Sequence, residues 1–150
     1  VPAELHDIPT RLMRRLAALL AVVLVAACSN EIDTSTRPDA VVGSYQLRSY
    51  GGQKLPTVVS VDQNGTAELL SGVLVIGADK SWTESRIYRY TLGGVAQQIT
   101  FGSNGSWALT RDGAFMEFND KVLGYQFTGT AAGGSLTLNL NDGSTAIYSH

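Results

Sequence analysis

The sequence predicts an all-β domain, an antiparallel up-and-down barrel of about eight to ten short strands. Three observations carry that expectation. From Val41 onward the apolar residues recur with period two, as in Leu136-Thr137-Leu138-Asn139-Leu140, the spacing of a strand with one buried face. Pairs of turn-forming residues interrupt the pattern, commonly at intervals of about 8 to 14 residues. No window supports a long amphipathic helix. A long meander would leave two open edges, and closure into a barrel removes them. A two-sheet sandwich is the alternative architecture.

The chain divides by composition before it divides by pattern. All 16 glycines lie at or after Gly43, and all 12 aromatic residues lie at or after Tyr45, in a chain of 150 residues. Upstream, Leu16 to Ala27 is an unbroken apolar run preceded by Arg14-Arg15. Twelve helical residues rise about 18 Å, against roughly 30 Å for a bilayer core, so the run is too short for a permanent span. A basic pair, a short apolar run and small closing residues together make a secretory signal, residues 1–27. Met13-Arg14-Arg15 reads as an ordinary signal start, which makes residues 1–12 an expected gene-model artefact.

Val25-Ala26-Ala27-Cys28 resembles the lipobox of bacterial lipoproteins, and Cys28 is the chain's one cysteine. The resemblance implies that the Cys28 thiol is acylated as a thioether and becomes the first mature residue. Two or more acyl chains hold a protein stably on a membrane without a transmembrane helix. Ser29, rather than aspartate, after the cysteine implies the outer membrane, facing the periplasm, in a diderm host. Residues 28–40 are polar and small, with Ile32 their one sizeable apolar side chain, and are expected to form a tether. Its mean reach would be roughly 20 Å, with a limit near 40 Å. Without the signal the chain has eight Lys/Arg against eleven Asp/Glu, a net of −3. That balance excludes electrostatic capture by nucleic acid or anionic lipid and leaves membrane association to the anchor.

Residues 41–150 are the expected barrel. Gly43, Tyr45 and Leu47 share one strand face, Leu123, Tyr125 and Phe127 another, and Trp107 and Leu109 a third. The predicted turns are Gly51-Gly52, Asn64-Gly65, Asp79-Lys80, Gly93-Gly94, Asn104-Gly105, Asp112-Gly113, Gly133-Gly134 and Asp142-Gly143. Gly43-Ser44-Tyr45-Gln46-Leu47, followed by Gly51-Gly52-Gln53-Lys54-Leu55-Pro56, resembles the opening of small lipocalin-like bacterial lipoproteins. Leu70 to Ile76, Asp142-Gly143 and the closing Tyr148 fit the same layout. Tyr45 stands where true lipocalins carry tryptophan. The resemblance implies a barrel able to hold a small apolar ligand.

Catalytic chemistry finds little support. Ser-His catalysis needs an imidazole, and after the signal the chain has only His150. Lys54, Lys80 and Lys121 fall in or beside predicted turns. Asp112, Glu117 and Asp120 are available for paired-carboxylate chemistry, but these residue types are also what hairpin ends require. Gly102-Ser103-Asn104-Gly105 reads as a hairpin rather than a phosphate loop. No cofactor or metal is expected, and the protein is expected not to be an enzyme.

Ser81 to Leu92 is the most informative stretch. In a regular strand Trp82, Glu84, Arg86, Tyr88, Tyr90 and Leu92 share one face. Its three aromatics turn that face inwards and bring Glu84 and Arg86 into the lumen as an i, i+2 pair. Such a lumen would suit an amphiphile with a charged end. A bulge between Trp82 and Tyr88 would instead expel the charges. Trp107 is expected in the core and Arg111 at a strand end. Two functions follow: a membrane-anchored envelope lipoprotein binding a small apolar or amphipathic ligand, or a closed barrel whose loops bind an envelope protein.

Overall fold

A computed structural model describes Pro38–Thr110, Gly113 and Phe115–His150. The signal, Cys28, most of the tether, Arg111 and Asp112 lie outside the described residues. A helical turn, α1 (Pro38–Val41), leads into ten strands: β1 (Gly43–Tyr50), β2 (Gln53–Lys54), β3 (Thr57–Asp62), β4 (Gly65–Ile76) and β5 (Ser81–Leu92). Then come β6 (Val95–Leu109), β7 (Met116–Asp120), β8 (Gln126–Ala132), β9 (Ser135–Asn139) and β10 (Thr145–Ser149). All pairings are antiparallel. The strands run in sequence from β4 to β10, and β1 closes the ring by pairing with both β10 and β4. The result is an eight-stranded up-and-down barrel, with β2 and β3 forming a detour between β1 and β4.

The closure follows from β1 dividing its length between two partners. Gly43–Gln46 pair with Val73–Ile76 of β4, and Gln46–Tyr50 pair with β10. A bulge between Leu47 and Ser49 shifts the register part-way along. A second lies in β4, between Leu69 and Ser71. Each shift moves the following side chains to the opposite face. Tyr50, outward by simple alternation from Tyr45 and Leu47, therefore turns inward.

Most predicted turns are present: Gly93-Gly94, for example, takes positive φ at both residues between β5 and β6, as a tight hairpin requires. Asn104-Gly105 is the exception. These residues lie inside β6, a continuous strand of 15 residues, so Gly102–Gly105 is not a hairpin. A Cβ on Gly105 would stand 1.8 Å from the Asn119 carbonyl oxygen and 2.9 Å from Trp82 Nε1. This glycine serves close strand approach rather than a turn. Leu123 and Tyr125 also differ from expectation, lying in the β7–β8 loop rather than on a strand with Phe127.

The core fills the base of the barrel. Tyr45, Trp82, Phe118, Leu136 and Tyr148 are buried there. Trp82 meets Phe118 and Phe127 edge-on, and those two phenylalanines stack with centroids 4.8 Å apart. Trp107 is in the core as expected, its Nε1 donating to the Gly77 carbonyl at 3.0 Å. Val41 of α1 is fully buried and its carbonyl accepts from the Tyr45 hydroxyl at 2.9 Å, so the chain enters the barrel at its base. His150 docks at the same end, its ring 4.2 Å from that of Tyr45 and its Nδ1 3.1 Å from the Ser44 carbonyl. Pro38–His150 lie in one compact unit, and the strands enclose their own core, so this segment has what it needs to fold alone.

Candidate functional site: the barrel mouth

At the end remote from α1 the packing stops and a cavity of about 430 Å³ opens. The strands determine its character one by one. β5 is unbulged, so Glu84, Arg86, Tyr88 and Tyr90 all point inward, as a regular strand predicts. Directly across on β6, Phe101 faces Arg86 and Ser103 faces Glu84. The Tyr88 and Phe101 rings meet edge-on at 5.6 Å, and Tyr90 stands 6.2 Å beyond Tyr88. Val122 and Leu123 of the β7–β8 loop complete the rim, more than half exposed. Trp82 is on the same strand face but lies below the cavity, in the packed core.

Glu84 and Arg86 form the polar floor. Arg86 Nε donates to Glu84 Oε1 at 2.7 Å, with side chains 13% and 12% exposed for Arg86 and Glu84. The Tyr148 hydroxyl donates to the same Glu84 oxygen and accepts from Arg86 Nη2 at 3.5 Å. The Arg86 guanidinium lies over the Tyr50 ring at 5.3 Å, and the Tyr50 hydroxyl donates to Asp142 at 3.2 Å. Gly72, opposite Arg86 on β4, leaves room for the arginine stem and for Leu47.

Burial and charge shift the titration of Arg86 and Tyr148. Burial disfavours the Arg86 cation, but the neighbouring Tyr148 and Glu84 oxygens outweigh it and the pKa is raised. Burial first, and then the Glu84 charge, push Tyr148 well above the ordinary tyrosine value. Tyr148 therefore stays a donor to Glu84. Tyr50 and Tyr125 shift in the same direction, again chiefly through burial. The consequence is a pH dependence. Above pH 10 the unfolded chain releases these tyrosine protons while the native chain keeps them, so stability falls as pH rises. Tyr148 alone adds a slope of about 1.4 kcal/mol per pH unit above its unfolded pKa. Urea unfolding at increasing pH should show this loss, and Tyr148→Phe should flatten it.

Asp120 supports the rim rather than doing chemistry. It is 3% exposed, and its carboxylate accepts from Ser103 Oγ at 2.6 Å and from the backbone N–H groups of Val122 and Leu123 at 2.8 Å each. Glu117 points outward from the same strand, so the two do not form a catalytic pair. Lys80 lies over the Trp107 ring at 4.1 Å, at the base. Among the described residues no cluster of three His, Cys, Asp or Glu is placed to hold a metal ion.

Sequence reasoning found four of the lining residues on β5 but missed Tyr50, Tyr148, Phe101 and Asp120 as parts of the site. Tyr148 carried a signal, since its alternation with Ala146 marks an inward face. Tyr50 carried none, because the bulge that turns it inward has no sequence signature.

Together these features define a closed antiparallel barrel with an aromatic mouth cavity over a buried ion pair. No protein-family model matches the chain, and no curated protein matches it. Among solved structures it is similar to the crystal structure of the Cpx pathway activator NlpE from Escherichia coli. That match has 20% identity and a TM-score of 0.38, covering 68% of this chain and 43% of that one. The chain thus spans less than half the length of that protein, and function has to come from the residues of the site.

Proposed function

We propose that this protein is a membrane-anchored envelope lipoprotein, non-enzymatic, that holds a small amphipathic ligand in the mouth of its barrel. The observation that carries the reading is the cavity itself. Its volume lies within the range of small-molecule sites, its walls are aromatic and aliphatic, and its polar groups converge at the floor. A ligand's apolar part would lie against Tyr88, Tyr90 and Phe101, and its polar end would reach Glu84 and Arg86. The lipobox at Cys28 supplies the anchor, to the outer membrane in a diderm host. Because α1 enters at the base, the mouth opens away from the tether's point of attachment.

The second reading, an interaction module for an envelope protein, draws on a different observation. Most of the exposed large apolar side chains among the described residues sit at the mouth end, Val61, Val95 and Leu123 foremost at 73%, 62% and 61%.

Native mass spectrometry of Pro38–His150, exported and purified without detergent from its own host, separates the two. The ligand reading expects an added mass that is lost on denaturation and reduced at least about 10-fold in occupancy by Arg86→Met. A bare chain mass, with partners recovered by crosslinking at the rim, would favour the interaction module.

A further inference from the structure

We infer that the free edge of β6 is a self-association site, where a second copy of this chain adds its own β6 antiparallel across a two-fold axis. β6 is 15 residues long, but β7 pairs only with its last part, Gly105–Leu109, and the Asn104 carbonyl accepts from Lys121. Among the described residues, nothing pairs with the other edge of Val95–Ser103, although β5 pairs with the whole of that segment. Unpaired backbone donors and acceptors over such a length are a template for another strand.

Hairpin geometry says which groups are offered. The residues flanking a two-residue turn, here Leu92 and Val95, form a hydrogen-bonded pair. Val95, Gln97, Ile99 and Phe101 therefore direct their backbone groups to β5. Ala96, Gln98, Thr100 and Gly102 direct theirs to the free edge, with no register shift along β5–β6 to change this.

A second copy is the occupant the residues favour. Natural edges are protected by charge, by proline or by brevity. Val95–Ser103 (VAQQITFGS) contains no ionisable side chain and no proline, so a two-fold axis through it sets no like charges against each other. The shorter β3 edge, by contrast, ends on Asp62. Centred on Gln98, the pairing puts Val95 opposite the second copy's Phe101 and Ala96 opposite its Thr100. Val95, Ile99 and Phe101, now 62%, 42% and 52% exposed, would then continue one apolar face across both molecules.

Sedimentation equilibrium of Pro38–His150 across the micromolar range tests the inference. The expected result is a reversible dimer. Thr100→Pro, which deletes a donor on the free edge and leaves the β5 ladder intact, should weaken association at least about 10-fold with an unchanged circular dichroism spectrum. Gln98→Lys, which sets a positive charge beside its two-fold mate, should do the same and serves if the proline variant fails to fold. A chain that is monomeric throughout would overturn the inference, as would a dimer that both substitutions leave intact. A monomer that instead carries an extended foreign peptide on this edge would also overturn it, in favour of a partner strand.

Discussion

Glu84→Ala is expected to cost about 3 kcal/mol in urea unfolding, the lower end of the range for breaking a buried pair. The variant removes the counter-charge of Arg86 and leaves a guanidinium 13% exposed in the parent, with the Tyr50 ring and the hydroxyls of Tyr148 and Tyr88 beside it. Tyr148 simultaneously loses its acceptor. Arg86→Met should cost a similar amount for the reciprocal reason. The double variant Glu84→Leu with Arg86→Met should return to within about 1 kcal/mol of the parent, because both desolvated charges are gone. A neutral single substitution would mean that the pair is hydrated rather than coupled. If the double variant is as stable as the parent, the fold does not require the pair. Its presence at the cavity floor is then best explained by what the cavity holds, and native mass spectrometry of that variant should show the bound mass lost.

Gly105→Ala should be the most damaging single-methyl change in the barrel, at about 3 kcal/mol. The added Cβ would meet the Asn119 carbonyl oxygen at 1.8 Å, and that oxygen belongs to the backbone of the neighbouring strand. No rotamer change can relieve the clash, so β6 and β7 must separate locally. The Trp82 indole, 2.9 Å away on the other side, would be pushed from its bond to the Ser106 carbonyl. Gly102→Ala is the control, because its Cβ would have the Glu84 carbonyl oxygen at 3.8 Å as its nearest neighbour. That variant should differ from the parent by less than about 0.5 kcal/mol. Equal losses at both positions would show that strand propensity, rather than the close approach, sets the cost.

These two sites also show how far sequence reasoning reaches. Of the two readings of Ser81–Leu92, the chain adopts the regular strand: Glu84, Arg86, Tyr88 and Tyr90 share one inward face, because β5 carries no bulge to break the parity. Local pattern could not foresee the inward turn of Tyr50, since one extra residue in β1 reverses every side chain after it. It also failed at Asn104-Gly105. An Asn-Gly pair carries the same local signal whether the chain turns or another strand presses close, and only the neighbouring chain distinguishes the two cases.

By itself the sequence determined what depends on local periodicity and composition. Period-two patterning specified strands, and most turn pairs specified where the chain reverses. Tertiary structure decided what depends on residues far apart in the chain. It set the split of β1 between β4 and β10 that closes the barrel, and the meeting of Tyr50, Glu84, Arg86 and Tyr148 from three strands. Among the described residues, it also left one edge of Val95–Ser103 in β6 unpaired. Register, bulges and closure are properties of paired strands, and a single strand's sequence contains only half of each pair.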